Sequence, residues 1–135
     1  MNKVEHIGIA VKSLKDSEII FQDILGTESY KTESVISENV NTLLFQLGET
    51  KIELLEATRV DSPIAKFIEK KGEGLHHIAF HVEDIQGKIE ELKRKGYRMI
   101  HDVPKTGADD KIIAFMHPKS SNGVLVELFA DKPKD

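Results

Sequence analysis

The sequence predicts an α+β fold made of two repeated β-α-β-β-β modules joined by a short helix. Three observations predict it. Residues 6–14, HIGIAVKSL, recur as residues 77–85, HIAFHVEDI. Each copy leads into a helical pattern followed by three strand-like runs. Each copy also closes on a similar segment, KIELLEA in the first and VLVELFA in the second. The single domain, 1–135, therefore divides into a first module at 1–58, a linking helix at 59–74 and a second module at 75–131.

In the first module a histidine opens an apolar run that ends in Val11. Ser13 follows as a helix N-cap, and with Asp16 it resembles a capping box. Leu14, Phe21, Ile24 and Leu25 fall on one helical face, and Gly26 can stop the helix. Strand-like runs follow at about 28–36, 40–47 and 51–57. The linking segment DSPIAKFIEKKGEG carries Pro63 near a helix start and Gly72 near its end. The second module repeats the order. Asp84 is the N-cap, Ile85, Ile89 and Leu92 form the apolar face, and Gly96 is the stop. Gly87 weakens this helix by up to about 1 kcal/mol relative to alanine. The last three strands are expected at about 97–102, 112–117 and 123–130.

Composition narrows the function. With 39% hydrophobic and 31% charged residues the chain reads as an ordinary globular protein with a real core. A net charge of −4 without a long basic run argues against nucleic acid as a partner. No apolar stretch approaches the ~20 residues of a membrane helix, and the first residues lack the pattern of a signal peptide. The absence of cysteine excludes disulfides and thiolate metal sites, and a cytoplasmic location fits best.

Strand alternation then selects candidate site residues. His6, Gly8 and Ala10 share a face, while Ile7, Ile9 and Val11 point the other way and should pack under the helix. The His6 face carries very small residues, which leaves room for something bulky. The equivalent face of the second copy holds His77, Ala79 and His81, so His77 is the partner of His6. His76 falls on the other face or precedes the strand. In the closing segments Glu53 corresponds to Glu127, and each lies within an apolar run where an uncompensated carboxylate is costly. A divalent cation would compensate both, and two imidazoles with two carboxylates suit Zn, Ni, Co, Mn or Fe. The competing reading places the glutamates on solvated faces and the histidines at strand starts. His76, His101 and His117 are read as surface or turn residues.

With these pairs in hand, the chain resembles the vicinal oxygen chelate superfamily, whose glyoxalase/bleomycin resistance fold builds cup-shaped mixed sheets from such modules. Within it the segments EHIGIAV, DSPIAKFIEKKGEGLHHIAFHVEDI and FMHPKSSNGVLVELF are similar to the methylmalonyl-CoA epimerases. Position by position, the resemblance implies that His6, Glu53, His77 and Glu127 are ligands of a divalent metal ion such as Co, Ni, Mn or Zn. It implies epimerisation of methylmalonyl-CoA by α-proton abstraction through a metal-stabilised enediolate, with an acyl-CoA thioester as substrate and a homodimer as the assembly. Glu127 is then the first candidate base, Glu53 the second, and His81 a substitute. Some related epimerases place a base carboxylate in the strand before that of Glu53; here that strand, NVNTLLFQL, has no acid. The same four-ligand set serves lactoylglutathione lyase (glyoxalase I), which remains the alternative, together with a metal-free drug-binding protein of the same fold. Lys105, Lys111 and Lys119 are candidates for CoA phosphates, weighed against a merely solubilising role.

Overall fold

Strand β1, Lys3–Ala10, sends Ile7 and Ile9 to one side and His6, Gly8 and Ala10 to the other, as period-2 alternation requires. The computed structural model describes residues 3–107 and 110–133, so the outermost residues of the predicted domain, 1–2 and 134–135, lie outside it. The chain forms two compact units: one is His6–His76, the other is the chain up to Glu5 together with everything from His77.

In the unit His6–His76, β1 leads into helix α1, Leu14–Leu25, then strands β2, Lys31–Val35, β3, Val40–Leu47, and β4, Thr50–Ala57, and helix α2, Pro63–Lys71. The strand order is β2-β3-β4-β1. The pairs β2–β3 and β3–β4 are antiparallel, and β4–β1 is parallel. Ile7, Ile9 and Val11 pack with Leu43, Phe45, Ile52 and Leu54 of the sheet and with Leu14, Phe21 and Leu25 of α1. The apolar set of β1 thus lies under the helix as the alternation predicts.

Ile24 does not join that face and is 66% exposed. At about 100° per residue, Leu14, Phe21 and Leu25 fall within a narrow stripe, while Ile24 lies well round the cylinder. Ser13 caps α1 by accepting the Asp16 N–H through Oγ at 3.2 Å, and the Glu56 carboxylate accepts the Leu14 N–H at 2.7 Å. Both satisfy donors that a helix start leaves unpaired. Helix α2 covers the opposite face of the sheet: Ile64, Phe67 and Ile68 pack on Ala10, Val40 and Leu55. Its N-cap, Ser62, is fully buried and accepts from the N–H groups of Ile64 and Ala65.

The second unit contains strand β5, Gly74–His81, from His77 onwards. It continues with helix α3, Ile85–Arg94, and strands β6, Lys105–Thr106, β7, Ile112–Phe115, and β8, Val126–Ala130. Their order is β5-β8-β7-β6, with β5–β8 parallel and the other pairs antiparallel. Ile85 and Ile89, with Leu92, cover Val82, Ala114, Leu128 and Ala130. Asp84 caps α3 through the Gly87 N–H at 3.0 Å. Past its end, Gly96 has φ +92° and the Tyr97 N–H reaches back to the Leu92 carbonyl, the bond that closes a Schellman turn.

The strand expected at 97–102 is absent as a regular element. Met99 makes an isolated bridge with Met116, and only Lys105–Thr106 form a short strand beyond it. The reason is a bulge. The Phe115 carbonyl accepts from both Ile100 and His101, so two residues face one and the ladder is interrupted. The runs expected at 28–36 and 123–130 shorten to β2 and β8, the latter preceded by a turn at Gly123. Among the described residues no helix is long and apolar enough to cross a membrane.

Candidate metal centre

The parallel pairing of β1 with β4 sets Gly8 opposite Glu53, and that of β5 with β8 sets Ala79 opposite Glu127. In each unit the histidine lies two residues before the small residue, hence on the same face as the glutamate across the ladder. The result is two imidazole–carboxylate pairs. His6 Nε2 lies 3.6 Å from Glu53 Oε1, and His77 Nε2 lies 3.3 Å from Glu127 Oε1. His6, His77 and Glu127 are buried, and the Glu53 side chain is 15% exposed.

The chemistry of these donors fits a divalent cation. A carboxylate withdrawn from water needs a compensating positive charge, and an imidazole beside it answers that need only when protonated. A neutral imidazole nitrogen and an anionic oxygen are suitable ligands for borderline divalent metals. Each pair supplies one of each.

The remaining predicted residues divide. Ala10, read as leaving space on the site face, is fully buried beneath Ile64 of α2, so that end of the face is filled. His81 lies with Nε2 3.7 Å from Asp131 Oδ2, while Lys111 donates to Asp131 Oδ1 at 2.6 Å. The Lys111 hydrogen bond holds the Asp131 carboxyl below its usual range. Lys111 is thereby engaged by an acid. Lys105 opens β6, and Lys119 sits in a 3-10 turn, Pro118–Ser120, whose cap is His117. His117 Nδ1 accepts the Lys119 N–H at 3.1 Å, which makes it a turn residue as read.

His76 differs from the surface or turn reading. His76 lies inside β5 with its ring 4.9 Å from that of Phe67, edge to face, and burial lowers its pKa to about 4. His101 accepts the Phe115 N–H through Nδ1 at 3.0 Å. Sequence reasoning also passed over Phe115, whose ring meets that of His77 edge-on at 5.8 Å, and Glu5, which is only 4% exposed. Glu5 lies between Val4 and His6, so the apolar flanks on both sides that mark Glu53 and Glu127 are missing there, and the sequence carries little signal for its burial. No local pattern marks Phe115, because its role depends on a cross-strand register.

The pattern of the Glyoxalase/Bleomycin resistance protein/Dioxygenase superfamily matches residues 5–115. Over 132 residues the chain is 43% identical to the uncharacterized protein YqjC of Bacillus subtilis, covering 98% of this chain and 94% of that one. It is 38% identical to the ethylmalonyl-CoA/methylmalonyl-CoA epimerase of Cereibacter sphaeroides, covering 95% and 97% respectively. A solved structure of a Streptomyces coelicolor methylmalonyl-CoA epimerase variant, in complex with 2-nitronate-propionyl-CoA, superposes with a TM-score of 0.91 at 33% identity. That superposition covers 98% of this chain and 96% of the other. The fold class expected from the repeat is therefore the observed one, and the chain belongs to the Glyoxalase/Bleomycin resistance protein/Dioxygenase superfamily.

Proposed function

We propose that the protein is a metal-dependent methylmalonyl-CoA epimerase in which His6, Glu53, His77 and Glu127 hold one divalent cation. The observation that carries the reading is the matched pairing: each unit offers one imidazole and one carboxylate in the same parallel register. His6, His77 and Glu127 are each buried, and each offers one ligand atom. The relatives named as epimerases, among them the Cereibacter protein, support the choice of reaction. The substrate analogue in the Streptomyces complex supports an acyl-CoA thioester as substrate.

The carbon to be inverted lies between a thioester and a carboxylate, so the difficulty is the charge that develops when its proton leaves. A divalent cation at this site would supply fixed positive charge against that developing negative charge. Glu127, as the carboxylate, takes the α-proton. Glu53, its repeat mate, enters the cycle carrying a proton on the oxygen not held by the cation and gives it to the opposite face; both groups then re-equilibrate with solvent. The burial of Glu127 keeps bulk water from competing for the proton. A homodimer in the cytoplasm completes the proposal.

The donor set also suits lactoylglutathione lyase chemistry, which is the second reading. Proton NMR of methylmalonyl-CoA in deuterium oxide separates them, using Co-loaded protein, metal-stripped protein and a protein-free blank. Loss of the α-proton signal only with the loaded protein is expected, and Glu127→Gln with verified metal content should abolish it. No exchange from folded, loaded protein sinks the epimerase reading, and turnover of the methylglyoxal–glutathione hemithioacetal would then establish the second.

A further inference from the structure

Across the β7–β8 ladder Phe115 stands opposite Glu127, and its ring meets the His77 ring at an interplanar angle of 85°. Phe115 therefore touches one member of the candidate pair and adjoins the other. Its own backbone is held from one place. The carbonyl accepts the N–H groups of Ile100 and His101, at 2.8 and 3.3 Å, and the N–H donates to His101 Nδ1. In a regular ladder a backbone carbonyl would take that amide hydrogen. Here a side chain does so, and its ring also lies 5.7 Å from the Phe115 ring.

The first unit has no counterpart at this position. Leu44 stands opposite Glu53, an aliphatic residue facing the pair with the longer separation, 3.6 Å against 3.3 Å.

We propose that His101 and Phe115 are positioning residues for the His77–Glu127 pair, a role that deepens the metal-centre reading and rests on it. His101, as the tautomer with Nδ1 unprotonated, fixes Phe115 at the bulge. Phe115 then limits rotation of the His77 ring and walls one side of the pair with apolar surface. A ligand imidazole must aim its nitrogen along one direction, so restricting the ring favours cation binding before any cation arrives. The second unit is thereby the more preorganised half of the site.

The test uses the full chain with His101→Leu, His101→Asn and Phe115→Leu, each checked for folding by circular dichroism. The first readout is Co(II) affinity with the visible absorption of the bound ion, and the second is the ring-proton shifts of His77 in metal-free protein. His101→Leu should weaken Co(II) binding about tenfold, the lower end for outer-shell partners of a metal ligand, and alter the absorption band. His101→Asn, whose Oδ1 can take the same amide hydrogen, should restore both. Phe115→Leu should remove the ring-current displacement of the His77 signals and weaken Co(II) binding. Unchanged affinity and unmoved His77 signals in His101→Leu and Phe115→Leu would overturn the role. Wild-type protein that takes up no Co(II) would instead overturn the metal-centre reading, and the metal-free His77 signals would still decide the positioning contact.

Discussion

The His76 imidazole lies edge-on to Phe67 and half out of water, and its lowered pKa of about 4 makes it neutral throughout the physiological range. In the unfolded chain the same group titrates near 6.5. Below that value the unfolded state binds a proton that the folded state refuses, so the stability contributed by neutral His76 is complete above pH 6.5 and declines towards pH 4. The loss is at most about 3 kcal/mol, since one pKa unit corresponds to 1.36 kcal/mol. Urea unfolding of metal-stripped protein between pH 7 and 4.5 measures it. His76→Phe should flatten the dependence, and an equally steep profile in that variant would place the titrating group elsewhere. His76 illustrates what sequence could and could not reveal of the site. Its pairing with His6 was excluded by repeat offset, which singled out His77. Its packing partner, Phe67, comes from the linking helix, and no local pattern announces that contact. The same holds for His101, whose acceptor role arises where a bulge outside any regular strand meets Phe115 of β7.

At the scale of elements, caps and stops were legible because their chemistry is local. Ser13, Asp84 and Gly96 each make the bonds their residue types predict. Apolar faces were legible to within the width of a helical stripe, which is why Phe21 and Leu25 pack and Ile24 does not. Gly87 carries a constraint that propensity alone misses. A Cβ there would lie 2.9 Å from Asp84 Cγ, against the side chain that caps α3. Gly87→Ala should therefore forfeit the roughly 1 kcal/mol that alanine offers in a free helix, and thermal unfolding should show no gain. A rise in Tm would mean that Asp84 moves without losing its bond. Ser62→Ala removes a fully buried cap that serves two amides, and about 1–2 kcal/mol should be lost in chemical denaturation. The strand at 97–102 was over-read because its composition suits a ladder, while the bulge depends on Phe115 across the sheet.

For the whole molecule, the repeat was the most informative feature of the sequence, because two matched pairs are harder to produce by chance than one. On the proposed reading one cation takes a ligand from each of the four side chains, so its binding is linked to the folding of both pairs. Saturating Co(II), at a hundredfold excess over Kd, should then stabilise the protein by about 2.7 kcal/mol, visible as a rise in Tm that EDTA reverses. His6→Ala and His77→Ala should each abolish the rise. Retention of the full shift in either would mean that the cation binds within one unit.

The parallel pairing of first and last strands has one more consequence. Within each unit the histidine and its glutamate are separated by roughly fifty residues of chain, and closing such a loop costs about 3–4 kcal/mol of entropy before any contact rewards it. The local hairpin of β3 and β4, with only a tight turn between them, incurs far less. Folding should therefore begin with local structure and bring each imidazole to its carboxylate late, so the growing chain would carry four separated side chains and no chelating site. On the proposed reading, the ion would enter only after the fold is complete, and its uptake would be a late step of maturation.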